Sequence, residues 1–432
     1  MRGDSPLFLL LLGVFLLPLE GSRGDDIVDG AAAAVASRRV HAFFYLWYGN
    51  PETDGEWRHW NHEVLPHWDE ALRRKFPATV RFVPPGDAHS PFYPRRGCYS
   101  SSCASTMKEQ FGELARAGVG VVVLSWSGRP EVPGTHDTQG IKTDALIEGA
   151  MDVAAAAGLE VALHLEPYEN RSVTSVRDDV TYLTSRFGSH AAMHRRARRV
   201  GPEAGLQDAP KLPVLYVYDS YRITDWERML TPDRPLSIRG TPHDAFLLAL
   251  WLQQHSGEEL LQAGFDGAYT YFAADGFTFG STVANWPRMA SFCRRNNLLF
   301  TPSVGPGYDD SKIRPWNRGN TRPRDNGAYY NRMWQAAVGC GTTSVSITSY
   351  NEWGEGTQIE PAIPRRVPDA SKTKERVETA MRGTLQLPEE YQSYYPLDPF
   401  FYLNRTLHWA AFLADREEEE PEMSDGSVRS EL

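Results

Sequence analysis

Eight apolar runs with strand character punctuate this chain, at residues 40–48, 119–126, 160–168, 212–219, 246–252, 265–272, 298–304 and 344–350. Several are close to continuously hydrophobic, the pattern of strands buried on both faces. Helical patterns lie between many of them, at 105–117, 143–157, 176–187, 225–230, 256–262, 285–296 and 326–338. Strand and helix alternating over eight strands predict an α/β protein, a (β/α)8 TIM barrel with long βα loops. A doubly wound open sheet would need a glycine-rich phosphate turn after its first strand, and Tyr48-Gly49-Asn50-Pro51 is not one. The barrel domain is expected over 39–414, closed by an amphipathic segment at 399–414, with a targeting segment and stem at 1–38 and an acidic disordered tail at 415–432.

Barrels carry their chemistry at the C-terminal ends of the strands. The eighth run leads into Ser349-Tyr350-Asn351-Glu352-Trp353-Gly354-Glu355-Gly356, which sets Glu352 and Glu355 on either side of a tryptophan. Two carboxylates beside an aromatic ring suit glycosidic bond cleavage, where one group manages the proton on the leaving oxygen and the other the charge at the sugar carbon. The bland alternative is a loop of solvated glutamates. Other strand ends offer Tyr45 and Tyr48, Trp126, Glu166 and Tyr168, Tyr218 and Tyr271. The long loop after the first strand adds Trp60 and His62, and Arg314 follows the seventh. Any one ring reads as core packing; their collection at one end of a barrel points to a sugar-binding cleft. Glu166 either binds hydroxyls or pairs with a barrel arginine. Arg314 either holds a carboxylate ionised or forms a structural ion pair.

Several function classes are disfavoured. The formal charge of −10 argues against nucleic acid or an anionic membrane surface as a partner. His59-Trp60-Asn61-His62 has no nearby partner cluster for a metal, so no metal and no cofactor are expected. Ser125 and Ser127 flank Trp126 without a nucleophile elbow. Residues 7–17 form an apolar run that suits a signal-peptide core and falls short of the roughly 20 residues of a membrane span. A cleaved signal and a short membrane signal-anchor both deliver the body to the secretory pathway. The sequons Asn170-Arg171-Ser172 and Asn404-Arg405-Thr406 agree with that address. Of Cys98, Cys103, Cys293 and Cys340, the first two are the pair most easily bridged there.

The chain resembles the glycoprotein endo-α-1,2-mannosidases of glycoside hydrolase family 99. The resemblance rests on Phe44-Tyr45-Leu46-Trp47-Tyr48-Gly49-Asn50-Pro51, His59-Trp60-Asn61-His62, Tyr216-Val217-Tyr218-Asp219-Ser220-Tyr221, Phe265-Asp266-Gly267-Ala268-Tyr269-Thr270-Tyr271-Phe272, Ile313-Arg314-Pro315-Trp316-Asn317 and Asn351-Glu352-Trp353-Gly354-Glu355-Gly356-Thr357. It implies an endo-acting, retaining enzyme working on glucosylated high-mannose N-glycans of glycoproteins. The expected setting is the lumen of the secretory pathway, the Golgi ahead of an earlier compartment, and the expected state a monomer. By the same resemblance Glu355 is the general acid/base, and Glu352 draws the proton from the sugar's 2-hydroxyl, which closes a 1,2-anhydro sugar. Tyr45, Tyr48, Trp60, His62, Trp126, Glu166, Tyr168, Tyr218, Tyr271, Arg314, Asn351 and Trp353 are the expected substrate-binding residues. The acid role calls for a raised pKa at Glu355, from burial and the charge of Glu352. Two departures stand out: Trp126-Ser127-Gly128-Arg129-Pro130 replaces a Trp-Tyr-Pro-Pro-Gly run, and Gly354 stands where the animal enzymes often have His. An endo-acting hydrolase of other α-mannans and a glycan-binding paralogue without turnover are the competing assignments.

Overall fold

The computed structural model describes residues 36–415 apart from Pro66, Trp68, 76–80, Thr138, 199–208 and 368–389. The acidic tail after Asp415 lies outside the described residues, as does nearly all of the expected targeting segment. Eight parallel strand positions close a ring: β1 (Ser37–Phe44), β2 (Val119–Trp126), β3 (Glu160–Leu165), β4 (Lys211–Val217), β5 (Phe246–Leu250), β6 (Gly267–Tyr269), β7 (Leu299–Thr301 and Ser303–Val304) and β8 (Val345–Ile347). Each pairs in parallel with the next, and β8 returns to β1 with Val40 opposite Val345 and Ala42 opposite Ile347. β7 is interrupted at Pro302, which has no N–H to give the ladder. Its first piece pairs with β6 and its second with β8, so the ring closes across the break. Each of the eight apolar runs supplies one strand position. The first begins at Ser37, ahead of the boundary expected at residue 39.

The outer layer follows the helical patterns: α1 (Ala104–Arg116), α2 (Asp144–Ala156), α3 (Val173–Phe187), α4 (Glu227–Leu230), α5 (Ser256–Ala263), α6 (Trp286–Arg295) and α7 (Ala328–Gly339). Local chemistry explains their starts. Ser172 and Ser175 form a reciprocal capping box that opens α3, and Pro287 sits in the first turn of α6, where its missing N–H costs nothing. A last helix, α8 (Phe401–Asp415), packs back against β1, β2 and α1. Every residue of β2 and β5 is buried, as strands enclosed by a barrel interior and a helical ring must be.

Inward-facing side chains fill the barrel in tiers. His41 Nδ1 and the Tyr216 hydroxyl meet at 2.7 Å in the lower tier. Above them Phe43, His164 and Tyr269 pack together, with His164 Nε2 2.8 Å from the Tyr269 hydroxyl. Tyr45, Tyr218 and Tyr271 form the rim. The interior is therefore a solid plug of rings, and a cavity on the barrel axis has to lie above it.

Where β1 enters beside β2, the strands are in close contact. A Cβ added at Gly120 would lie 2.4 Å from the backbone carbonyl of Ser37. Backbone cannot swing aside as a side chain can, so Gly120→Ala is expected to cost about 1–3 kcal/mol. Urea unfolding at unchanged m-value reads that loss directly.

The structure leaves Cys98, Cys103, Cys293 and Cys340 unbridged, which corrects the Cys98–Cys103 expectation. The two thiols face different partners. Cys98 is buried beside Tyr93, its pKa pushed up to about 12 by burial, whereas Cys103 precedes α1 and meets the Ser105 hydroxyl at 3.2 Å. Among the described residues no helix is long and apolar enough to cross a membrane.

Candidate active site

A cavity of about 220 Å³ opens above the rim, lined by Tyr45, Trp47, His59, His62, Leu65, His89, Asp137, Glu166, Pro167, Tyr218, Tyr271, Ile313, Arg314, Glu352 and Glu355. Its floor is the loop that leaves β8. Asn351, fully buried, fixes that loop: its Oδ1 accepts from the Tyr45 N–H at 2.8 Å and its Nδ2 donates to the Tyr45 carbonyl at 2.9 Å. This amide continues the β1–β8 pairing for one more step after the backbone has turned away. The Tyr48 hydroxyl donates to the Asn351 carbonyl and receives the Trp353 N–H, which locks the turn carrying the glutamates.

Trp353 anchors the other side of the turn. Its ring is fully buried, and its indole N–H donates to Glu360 at 2.9 Å. Glu360 also accepts from the Tyr99 hydroxyl, Gln110 Nε2 and Arg96 Nη1, at 2.8, 2.9 and 3.0 Å. A carboxylate this deeply buried is sustained by such a full set of donors.

With the turn so held, Glu352 and Glu355 both face the cavity. The Gly354 N–H donates to Glu352 Oε1 at 3.0 Å. Arg314 donates to Glu355 Oε1 at 2.9 Å and to Asp310 at 3.2 Å. Burial, reinforced by the charge of Glu355, lifts the Glu352 pKa well above the ordinary carboxylate range. Burial also raises Glu355, against the opposing pull of Arg314. The raised pKa expected at Glu355 is present, with burial as its largest cause; Asp310 and Glu166 add to it, and the repulsion between the two glutamates raises Glu352. Arg314 opposes the rise on both groups, through direct contact with Glu355.

The walls are aromatic. Tyr45, Trp47 and His59 stack in succession, with ring centroids 4.3 Å apart at each step. His59 ends the stack and meets Asp137 Oδ2 through Nε2 at 2.6 Å. Burial opposes the charge on Asp137, but His59 and the backbone N–H groups of Ile141 and Gln139 outweigh it and lower its pKa. Opposite, the Ser125 hydroxyl donates to Glu166 at 2.9 Å. His62 is pulled down to about 4 by burial and the neighbouring His59, and His89 is lowered by burial and by His62.

Of the expected site residues, Tyr45, His62, Glu166, Tyr218, Tyr271, Arg314, Glu352 and Glu355 line this cavity. Tyr48, Trp60, Trp126, Tyr168, Asn351 and Trp353 stand behind its wall. Trp60 stacks on Tyr48 and donates to the Tyr99 carbonyl. Trp126 points outward and donates to Asp144 of α2. The Tyr168 hydroxyl turns to Ser175 and Asp179 of α3. Trp47 and His59, noted in the sequence only within longer motifs, and His89 and Asp137, not noted there, join the wall. Strand parity is the signal that separates Trp126 from its neighbour: successive residues face opposite sides, so if Ser125 points inward Trp126 cannot. Among the described residues no group of three or more His, Cys, Asp or Glu side chains is arranged to hold a metal ion.

The comparisons with known proteins agree with this geometry. The model of Glycosyl hydrolase family 99 matches residues 36–414. The glycoprotein endo-alpha-1,2-mannosidase-like protein of Homo sapiens is 42% identical over 393 residues, covering 89% of this chain and 79% of its own. The glycoprotein endo-alpha-1,2-mannosidase of Rattus norvegicus is 41% identical over 373 residues, covering 86% of this chain and 74% of its own. Among solved structures, the family 99 endo-alpha-mannosidase of Bacteroides thetaiotaomicron superimposes with a TM-score of 0.74 at 34% identity, over 90% of this chain and all of its own. The chain belongs to glycosyl hydrolase family 99.

Proposed function

We propose that this protein is an endo-acting, retaining α-1,2-mannosidase that trims glucosylated high-mannose N-glycans of glycoproteins in the Golgi lumen. The observation that carries the chemistry is the pair of buried carboxylates facing one cavity, both with pKa values raised by burial, which favours a proton held on the pair. Glu355 donates that proton to the glycosidic oxygen as the bond to the anomeric carbon breaks. Glu352 accepts the proton of the 2-hydroxyl, and the freed O2 attacks the anomeric carbon from the opposite face to close a 1,2-anhydro sugar. Water then opens that ring at the anomeric carbon, giving its proton to Glu355, while Glu352 returns a proton to O2. Two inversions give net retention.

Arg314 bonds directly to Glu355 and so favours its charged form. A sugar 2-hydroxyl donating to Glu352 stabilises that group's charge in turn, which leaves the pair's proton on Glu355. Arg314 therefore tunes the whole pair. Because its charge lowers both carboxyl pKa values, Arg314→Gln is expected to move both limbs of the kcat/KM–pH profile upward, by about 1 pH unit or more. A profile that shifts downward or stays in place removes Arg314 from this role.

The substrate assignment is tested by incubating the protein with a labelled glucosylated high-mannose glycan. Release of a glucosylated mannose saccharide of retained configuration is expected. Preference for unglucosylated mannan transfers the assignment to that substrate, and tight binding without product shows a lectin-like protein.

A further inference from the structure

Gly354 lies between the two glutamates, and its surroundings are unusually close. A Cβ built there would sit 2.8 Å from His89 Nε2, 2.9 Å from His89 Cδ2 and 3.1 Å from Glu352 Oε1. The imidazole edge of His89 and the carboxyl of Glu352 thus converge on the one point that a side chain at 354 would occupy. His89 arrives from the long loop after β1, far from the glutamates in sequence. Its backbone N–H donates to the Trp60 carbonyl at 3.1 Å, and the carbonyl of the same peptide group, that of Ala88, accepts from Lys312 Nζ at 2.8 Å, so the peptide leading into the ring is held at both its polar atoms. The ring is 2% exposed, lines the cavity and packs beside His62. Its Nδ1 is buried toward the Trp60 backbone, which leaves Nε2, on the edge beside Gly354 and Glu352, as the ring nitrogen that can meet a ligand.

We propose that His89 contacts the sugar beside Glu352, reading a hydroxyl of the hexose whose glycosidic bond is cut, and that residue 354 is glycine because it cedes the space for that ring. The proposal rests on the hydrolase assignment above and names a specificity-determining residue within it. A buried imidazole kept uncharged offers one donor and one acceptor to a polyol, which suits a neutral sugar and gives no advantage to an anionic ligand. Two positions remote in sequence then share one volume: a side chain at 354 and a ring at 89 exclude each other.

A double-mutant cycle on the full chain tests this, with kcat, KM and the dissociation constant of the glucosylated high-mannose glycan measured beside the melting temperature. His89→Ala is expected to raise KM and lower kcat/KM about tenfold, the scale of one lost hydrogen bond to a buried partner, with the melting temperature little changed. Gly354→Ala is expected to do similar damage by displacing the ring. Combined with His89→Ala it should add almost nothing, a strongly non-additive cycle. His89→Gly with Gly354→His returns an imidazole to the same space from the other side and should recover much of the loss. Losses that simply add, or a His89→Ala protein with wild-type KM and affinity, overturn the proposal. A wild-type protein that binds the glycan without cleaving it sinks the hydrolase assignment alone, and the role of His89 is then decided by the affinities of the same variants.

Discussion

Glu355→Gln should lower kcat/KM on a glycan substrate by about 10²–10⁴-fold, the usual worth of a positioned general acid. The fold should survive, because the amide oxygen can still accept from Arg314 and one of two facing, buried carboxyl groups has become neutral. Glu352→Gln should be impaired to a similar degree for a different reason: nothing then accepts the 2-hydroxyl proton. A substrate with an activated leaving group separates the two roles. Such a group departs without protonation, so it should restore much of the first step in Glu355→Gln and little in Glu352→Gln. Equal rescue of both variants, or rescue of Glu352→Gln alone, would reverse or erase the assignment.

The second large effect lies behind the site rather than in it. Glu360→Ala should destabilise the protein by about 3–5 kcal/mol, the cost typical of removing one partner from a buried charge network. Four donors converge on this carboxylate, from Tyr99, Gln110, Trp353 and Arg96. Arg96 keeps Glu113 as a partner, whereas the Trp353 indole loses its best acceptor. Activity should therefore fall along with stability, since Trp353 anchors the turn that presents both glutamates. Urea denaturation gives the first quantity and kcat at a permissive temperature the second. A variant within about 1 kcal/mol of wild type would show that the network contributes no more than ordinary surface ion pairs do.

These two carboxylates also show what could and could not be read from the chain alone. Glu352 and Glu355 were legible because they follow a strand-like run closely, and strand ends are where barrels carry their sites. Glu360 is only a few residues further on and was indistinguishable by composition. What separates them is a handful of hydrogen bonds made after the chain has turned. The strands were legible because burial on both faces leaves continuous apolar runs. The interruption of β7 follows from Pro302 once its place in the ring is known. The aromatic wall was only half legible. Tyr45, Tyr218 and Tyr271 lie on strands or just past their ends and point inward, whereas Trp60 and Trp353 ride on loops whose course no periodicity encodes. Both ended as packed supports with satisfied indole N–H groups. His59, His89 and Asp137 are loop residues as well, brought to the cavity by turns and tertiary contacts that leave no local pattern.

The depressed histidines of the wall have a consequence for where the cavity can work. A histidine with its ordinary pKa becomes a cation as its surroundings acidify from about pH 7 to pH 5. His62, with a pKa near 4, stays uncharged across that interval, and His89 is lowered in the same direction by burial and by His62. This stretch of the lining thus resists taking up charge from a neutral compartment to a mildly acidic one, beside the two carboxyl groups that do the chemistry. The cavity is insulated from its compartment at these two rings and sensitive to it at its glutamates.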